Sequence, residues 1–105
     1  MGWADDHIKT LRKEGWVEFR PTGRSMEPLI MSGDLVRVEE MEDPETLEVG
    51  DIVLCTVGRN SYLQLVKGKT AAMQGWKSVT SFQVGDNKGG VNGWTTQIHG
   101  RVVPR

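Results

Sequence analysis

The chain has 105 residues, 37 % of them hydrophobic, with a formal net charge of -1 and an isoelectric point near 6.1. That length holds about one domain with a small core, and scattered basic residues on a near-neutral chain give no bulk electrostatic reason to bind nucleic acid. One cysteine, Cys55, excludes an intrachain disulfide and fits a reducing compartment, while one Cys and two distant His cannot assemble a metal site.

No apolar run approaches the ~20 residues of a membrane helix, and the segment "MGWADDHIKTLRKEG" lacks the apolar stretch of a secretory signal. The expected setting is cytoplasmic, with no membrane anchor. The same segment predicts one short helix, capped by Asp5 or Asp6, with Ile8 and Leu11 on one face and Gly15 at its end. It is too short for a helix-turn-helix. Then come "WVEFR", "DLVRVEE", "DIVLCTV", "SYLQLVK", "KSVTSFQV" and "IHGRVV", separated by turn clusters at residues 21–23, 32–34, 58–61 and 85–93. These β-branched and aromatic segments predict a mostly-β fold, a small coiled, partly open barrel of antiparallel strands. Alternation in "DLVRVEE" turns Val36 and Val38 inward and Arg37 and Glu39 outward. The segment "MEDPETLEVG" reads as a surface loop, and there is no internal repeat. Two or three of Trp3, Trp16, Trp76 and Trp94 are expected in the core or in a lid.

The order of segments carries a further signal. "GRSMEPLIMSGDLVRV" is followed by "LEVGDIVLCTV", "YLQLVKG", "VGDNKGGVNGW" and "HGRVV". This succession resembles the serine peptidase family that includes type I signal peptidases and the self-cleaving domain of LexA-type repressors. The resemblance covers roughly residues 20–105, with residues 1–19 as a helix and lead-in strand within one compact domain. Its most specific parts are S-M-x-P followed by Gly33-Asp34, and the second Gly-Asp at Gly50-Asp51. The resemblance implies a LexA/signal peptidase-type barrel, Ser25 in the nucleophile position, and no cofactor. It also implies an extended peptide or protein segment as substrate, added as a strand to a sheet edge, with Met26, Pro28 and Tyr62 beside the site.

The family's base is a lysine, or a histidine in some branches. Both the signal peptidase pattern Y-I-K-R and the step from Gly50 in the repressor pattern place that position at Gln64. A carboxamide is not basic near neutrality, so Gln64 can orient Ser25 but cannot take its proton. Lys67 is a substitute only on a bulged strand, because residues 64 and 67 otherwise point to opposite faces. His7, in the helix, and His99, in the last strand, fall outside the matching position and read as surface or half-buried residues. The box beginning Gly85-Asp86-Asn87 continues as "KGGVNGW", without the family's Ser-x-Asp-Ser-Arg run. Pro28 biases Glu27 toward an extended backbone, Met26 plugs a gap beneath the serine turn, and Cys55 reads as a small buried hydrophobe. The sequence therefore supports a serine peptidase-family protein or, alternatively, a pseudo-protease that binds a peptide or protein partner in the same groove. Self-cleavage in the repressor manner would need an Ala-Gly bond ahead of the nucleophile, and the chain has none.

Overall fold

Helix α1 (Asp5–Glu14) forms where the apolar spacing places it, burying Ile8 and Leu11. Asp5 and Asp6 fall in its first turn and Arg12 and Lys13 in its last, each complementing the helix dipole. Gly15, at φ 85°, closes the helix by donating its N–H to the Leu11 carbonyl at 2.8 Å. The N-cap is Ala4, without a side-chain bond, so the expected Asp cap is replaced. Ala4 is fully buried and anchors the helix start, while the Asp5 carboxylate accepts from the Gly2 N–H.

The computed structural model describes residues 2–104, and close to half of the chain is strand. The strands are β1 (Trp16–Phe19), β2 (Val36–Glu39), β3 (Ile52–Val57), β4 (Asn60–Gln74), β5 (Lys77–Gly85), β6 (Val91–Thr95) and β7 (Gln97–Val102). They form one antiparallel sheet in the order β1-β2-β7-β3-β4-β5-β6. The ladder does not close, leaving β1 and β6 as its edges. The sheet nevertheless curls, because the Thr95 hydroxyl on β6 donates to the Thr56 carbonyl on β3 at 2.6 Å.

Both faces of β3 are buried, as a continuous apolar run requires. Leu54 joins Leu63, Val17, Phe19, Val36, Val38 and the apolar side of α1 on one face. Val53 and Cys55 meet Leu47, Val66, Phe82 and Val84 on the other. Gly100 on β7 permits the close approach of helix to sheet, since a Cβ there would lie 2.7 Å from the Glu39 carbonyl oxygen and 3.0 Å from Leu11 Cδ2. Val36 and Val38 face inward on β2, as alternation predicts.

Several expected boundaries shift. "SYLQLVK" and "KSVTSFQV" are parts of one long hairpin, β4–β5, which turns at Gly75 (φ 64°) and projects mostly exposed residues. The 85–93 turn cluster ends early, because β6 begins at Val91. The polar loop at 41–50 contains a 3-10 turn, Pro44–Thr46, and fully buries Leu47. Lys69 ties that turn down by donating to the carbonyls of Glu45 and Leu47. All four tryptophans are exposed, Trp76 most of all at the hairpin tip, so none is a core residue.

Candidate functional site

The segment from Gly23 to Ile30 crosses the mouth of a cleft of about 390 Å³. Within it the Ile30 N–H donates to the Met26 carbonyl at 3.0 Å and the Glu27 N–H to the Arg24 carbonyl at 3.2 Å, so the chain turns tightly around Ser25. The Glu27-Pro28 peptide is cis, and both residues lie in the turn. Met26 and Ile30 are buried in the helix-side core and hold the turn down, leaving Ser25 exposed on top. Asn87, after β5, fixes the turn from the other side. Its N–H donates to the Ser25 carbonyl and its side-chain amide to the Glu27 carbonyl, both at 2.8 Å. Asp86 shapes that loop by accepting from the Lys88 and Gly90 N–H groups, which hold its carboxyl below the usual range.

One wall of the cleft is β4, from Ser61 to Gln64. The Val66 N–H donates to the Asp51 carbonyl at 2.8 Å, making 51 and 66 a hydrogen-bonded antiparallel pair. Hydrogen-bonded and open pairs alternate. Gln64 and Tyr62 therefore direct their backbone groups at β3, and Leu65, Leu63 and Ser61 direct theirs the other way. Leu65 meets Gly85, where the β5 ladder begins, and no strand lies beyond it. The N–H and C=O of Leu63 and the N–H of Ser61 thus line an unpaired edge that opens into the cleft. The Ser61 carbonyl confirms the direction, because it accepts from the Trp3 indole at 3.2 Å.

Gln64 is 5 % exposed, and its amide nitrogen donates to the Asn92 side-chain oxygen at 2.6 Å. Asn92 is free to reach it because the β5–β6 register shifts there, with Gly85 pairing Val91 and Val84 pairing Gly93. The Gln64 side-chain oxygen is buried without a hydrogen-bond partner among the described residues. A buried acceptor left unpaired costs about 1–3 kcal/mol.

Ser25, Met26, Tyr62 and Gln64 line the same cleft, whereas Pro28 and Lys67 do not. Ser25 and Gln64 share the cleft without a hydrogen bond between them, the Gln64 amide being turned to Asn92. Lys67 does sit on a bulge, between Val66 and Gly68, so simple alternation does not fix its direction. Its side chain runs over Gly85, where an added Cβ would lie 3.0 Å from Lys67 Cε, and its charge acts on Asp86.

The cleft also collects residues that sequence reasoning set aside. Trp3, His7 and Ser61 line it, and His7 stacks on Phe19 with ring centroids 4.3 Å apart. Nothing local in the sequence marks Trp3 and His7, which the packing of the helical segment on β1 brings in. Away from the opening, Cys55 is fully buried, and loss of hydration pushes its thiol up to about 12. Among the described residues no group of three or more His, Cys, Asp or Glu can hold a metal ion, and no helix is long and apolar enough to cross a membrane. Comparison with protein-family models, with curated proteins and with solved structures returns no match.

Proposed function

We propose that the cleft between the Ser25 turn and the open edge of β4 receives an extended peptide segment as an added strand. The observation that carries this reading is the outward backbone of Leu63 and the N–H of Ser61, without a strand partner and beside an exposed serine turn. Main-chain pairing with Leu63 supplies affinity, and alternate peptide side chains enter the cleft between Trp3, Met26 and Tyr62. The unpaired Gln64 oxygen accepts from a donor on the bound segment. In this reading the chain is a relative of the signal peptidase and LexA-type serine peptidases. The curled sheet is then their partly open barrel, and Ser25 stands in the nucleophile position with its own N–H toward the substrate carbonyl.

A second reading, binding without cleavage, is favoured by Gln64. A serine hydroxyl needs a group with an available lone pair of adequate basicity, and a carboxamide turned to Asn92 supplies none. On this account Ser25 holds the nucleophile's place and the groove retains a peptide or protein partner. Titration with extended peptides, followed by backbone amide chemical shifts, tests the site. Perturbations at Ser61–Gln64 and in the Ser25 turn support it, and perturbations confined to the outer face of α1 refute it.

A further inference from the structure

A chain of hydroxyls leads out of the same cleft to a base. The Ser61 hydroxyl lies 2.9 Å from that of Thr56, and the Thr56 hydroxyl lies 2.7 Å from His99 Nε2. The three come from β4, β3 and β7, with Ser61 and Thr56 directly opposite across an open β3–β4 pair. Thr56 is thus a hydroxyl hydrogen-bonded to a basic side chain, and Ser61 is the member of the chain that lines the cleft.

We infer that Ser61 is a reactive hydroxyl of the cleft in its own right, with His99 as its proton acceptor through Thr56. With the lone pair of neutral His99 at Nε2, Thr56 donates to His99 and Ser61 donates to Thr56, which leaves the Ser61 oxygen with lone pairs for an acyl carbon. As Ser61 Oγ bonds to the carbonyl carbon of a peptide lying along β4, its proton passes to Thr56 Oγ1 while the Thr56 proton passes to His99 Nε2. When the C–N bond breaks, the Thr56 hydroxyl gives its proton directly to the leaving amine and regains one from His99 Nε2, while Ser61 Oγ stays bonded to the acyl carbon. Water then attacks the Ser61 ester, giving its proton to the same chain, and restores the serine as the acid departs. Burial and then the Arg12 guanidinium on α1 both favour the neutral imidazole, and its hydrogen-bonded neighbour on β3, Thr56, is neutral. The inference shares the cleft of the proposed function but does not depend on the role of Ser25.

The test is reaction of the whole chain with a fluorophosphonate, with the modified residue located by peptide mass spectrometry. The expected result is modification at Ser61 that persists in Ser25→Ala. Its rate should rise with pH as His99 loses its proton, with an apparent midpoint below the ordinary histidine value of about 6.5. Thr56→Val keeps shape and strand preference but cuts the chain, and His99→Gln keeps a polar group but removes the base. Each should slow modification by ~10²–10⁴-fold, the usual worth of general-base assistance. No modification of Ser61 in the unaltered chain overturns the inference, as does a rate unchanged by Thr56→Val. Peptide binding is read separately by amide shifts, so failure of this relay and failure of the strand-addition reading give different results.

Discussion

Replacing Gln64 by methionine isolates the buried, unpartnered amide oxygen. Gln64→Met keeps the length and approximate volume of the side chain, which is 5 % exposed, and removes both of its polar atoms. The unpaired oxygen costs about 1–3 kcal/mol in the native fold. The bond from the amide nitrogen to Asn92 returns about 0.5–1.5 kcal/mol, and Asn92 is exposed, so its oxygen is rehydrated when that bond is lost. The difference predicts a variant more stable by about 1 kcal/mol, or roughly 4–8 °C in Tm for a domain of this size. Urea unfolding gives the comparison directly, with a higher midpoint at unchanged slope as the expected outcome. The same variant should bind extended peptides more weakly, because the acceptor offered to the ligand is gone. Destabilisation by 1 kcal/mol or more would refute the reasoning, since it would mean that the oxygen is satisfied in solution and the amide is structural.

Three further outcomes follow from other positions. Gln64→His supplies a lone pair at the position matching the family's base, and should raise the reactivity of Ser25 toward serine-directed electrophiles by ~10²–10⁴-fold, a gain that Ser25→Ala abolishes. Cys55, with its thiol pushed up to about 12, should resist alkylation in the native chain at pH 8 and react fully once the chain is unfolded. His99 has its pKa lowered by burial and then by Arg12, so the unfolded chain binds its proton more readily. Stability is therefore fully present above the unfolded value of about 6.5 and falls as pH drops from there toward the folded value. The unfolding midpoint should show that acid slope, and His99→Gln should flatten it.

What could be read from the sequence was what short-range chemistry decides. Alternation placed Val36 and Val38 inside, and Gly15 marked the helix end because only glycine sits easily at φ 85°. The segment "DIVLCTV" was legible as a strand with Cys55 buried, and the structure covers it on both faces. The outer half of the β4–β5 hairpin was not legible, because "GKTAAMQGWK" has no alternation and is held mainly by backbone pairing, with Lys69 bonded to the 3-10 turn. β6 was hidden by its glycines, which mimic a turn. At the site, the S-M-x-P turn was visible as a motif, and Tyr62 and Gln64 share the cleft with Ser25. The hydroxyl chain was not visible, since Thr56 and His99 lie 43 residues apart and meet only through the β3–β7 ladder. Trp3 and His7 likewise reach the cleft only because the helix packs against β1, where both rings meet Phe19.

The central claim is that the outward backbone of β4 is a vacant strand position. Amide hydrogen exchange at Leu63 measures it, because that N–H has no strand partner in the free chain and gains one when a peptide adds to the edge. The account predicts fast exchange at Leu63 in the free protein and marked slowing with a saturating extended peptide, while Gln64, already paired with β3, changes little. Slow exchange at Leu63 without peptide, or exchange at Leu63 that a bound peptide leaves unaltered, would contradict it.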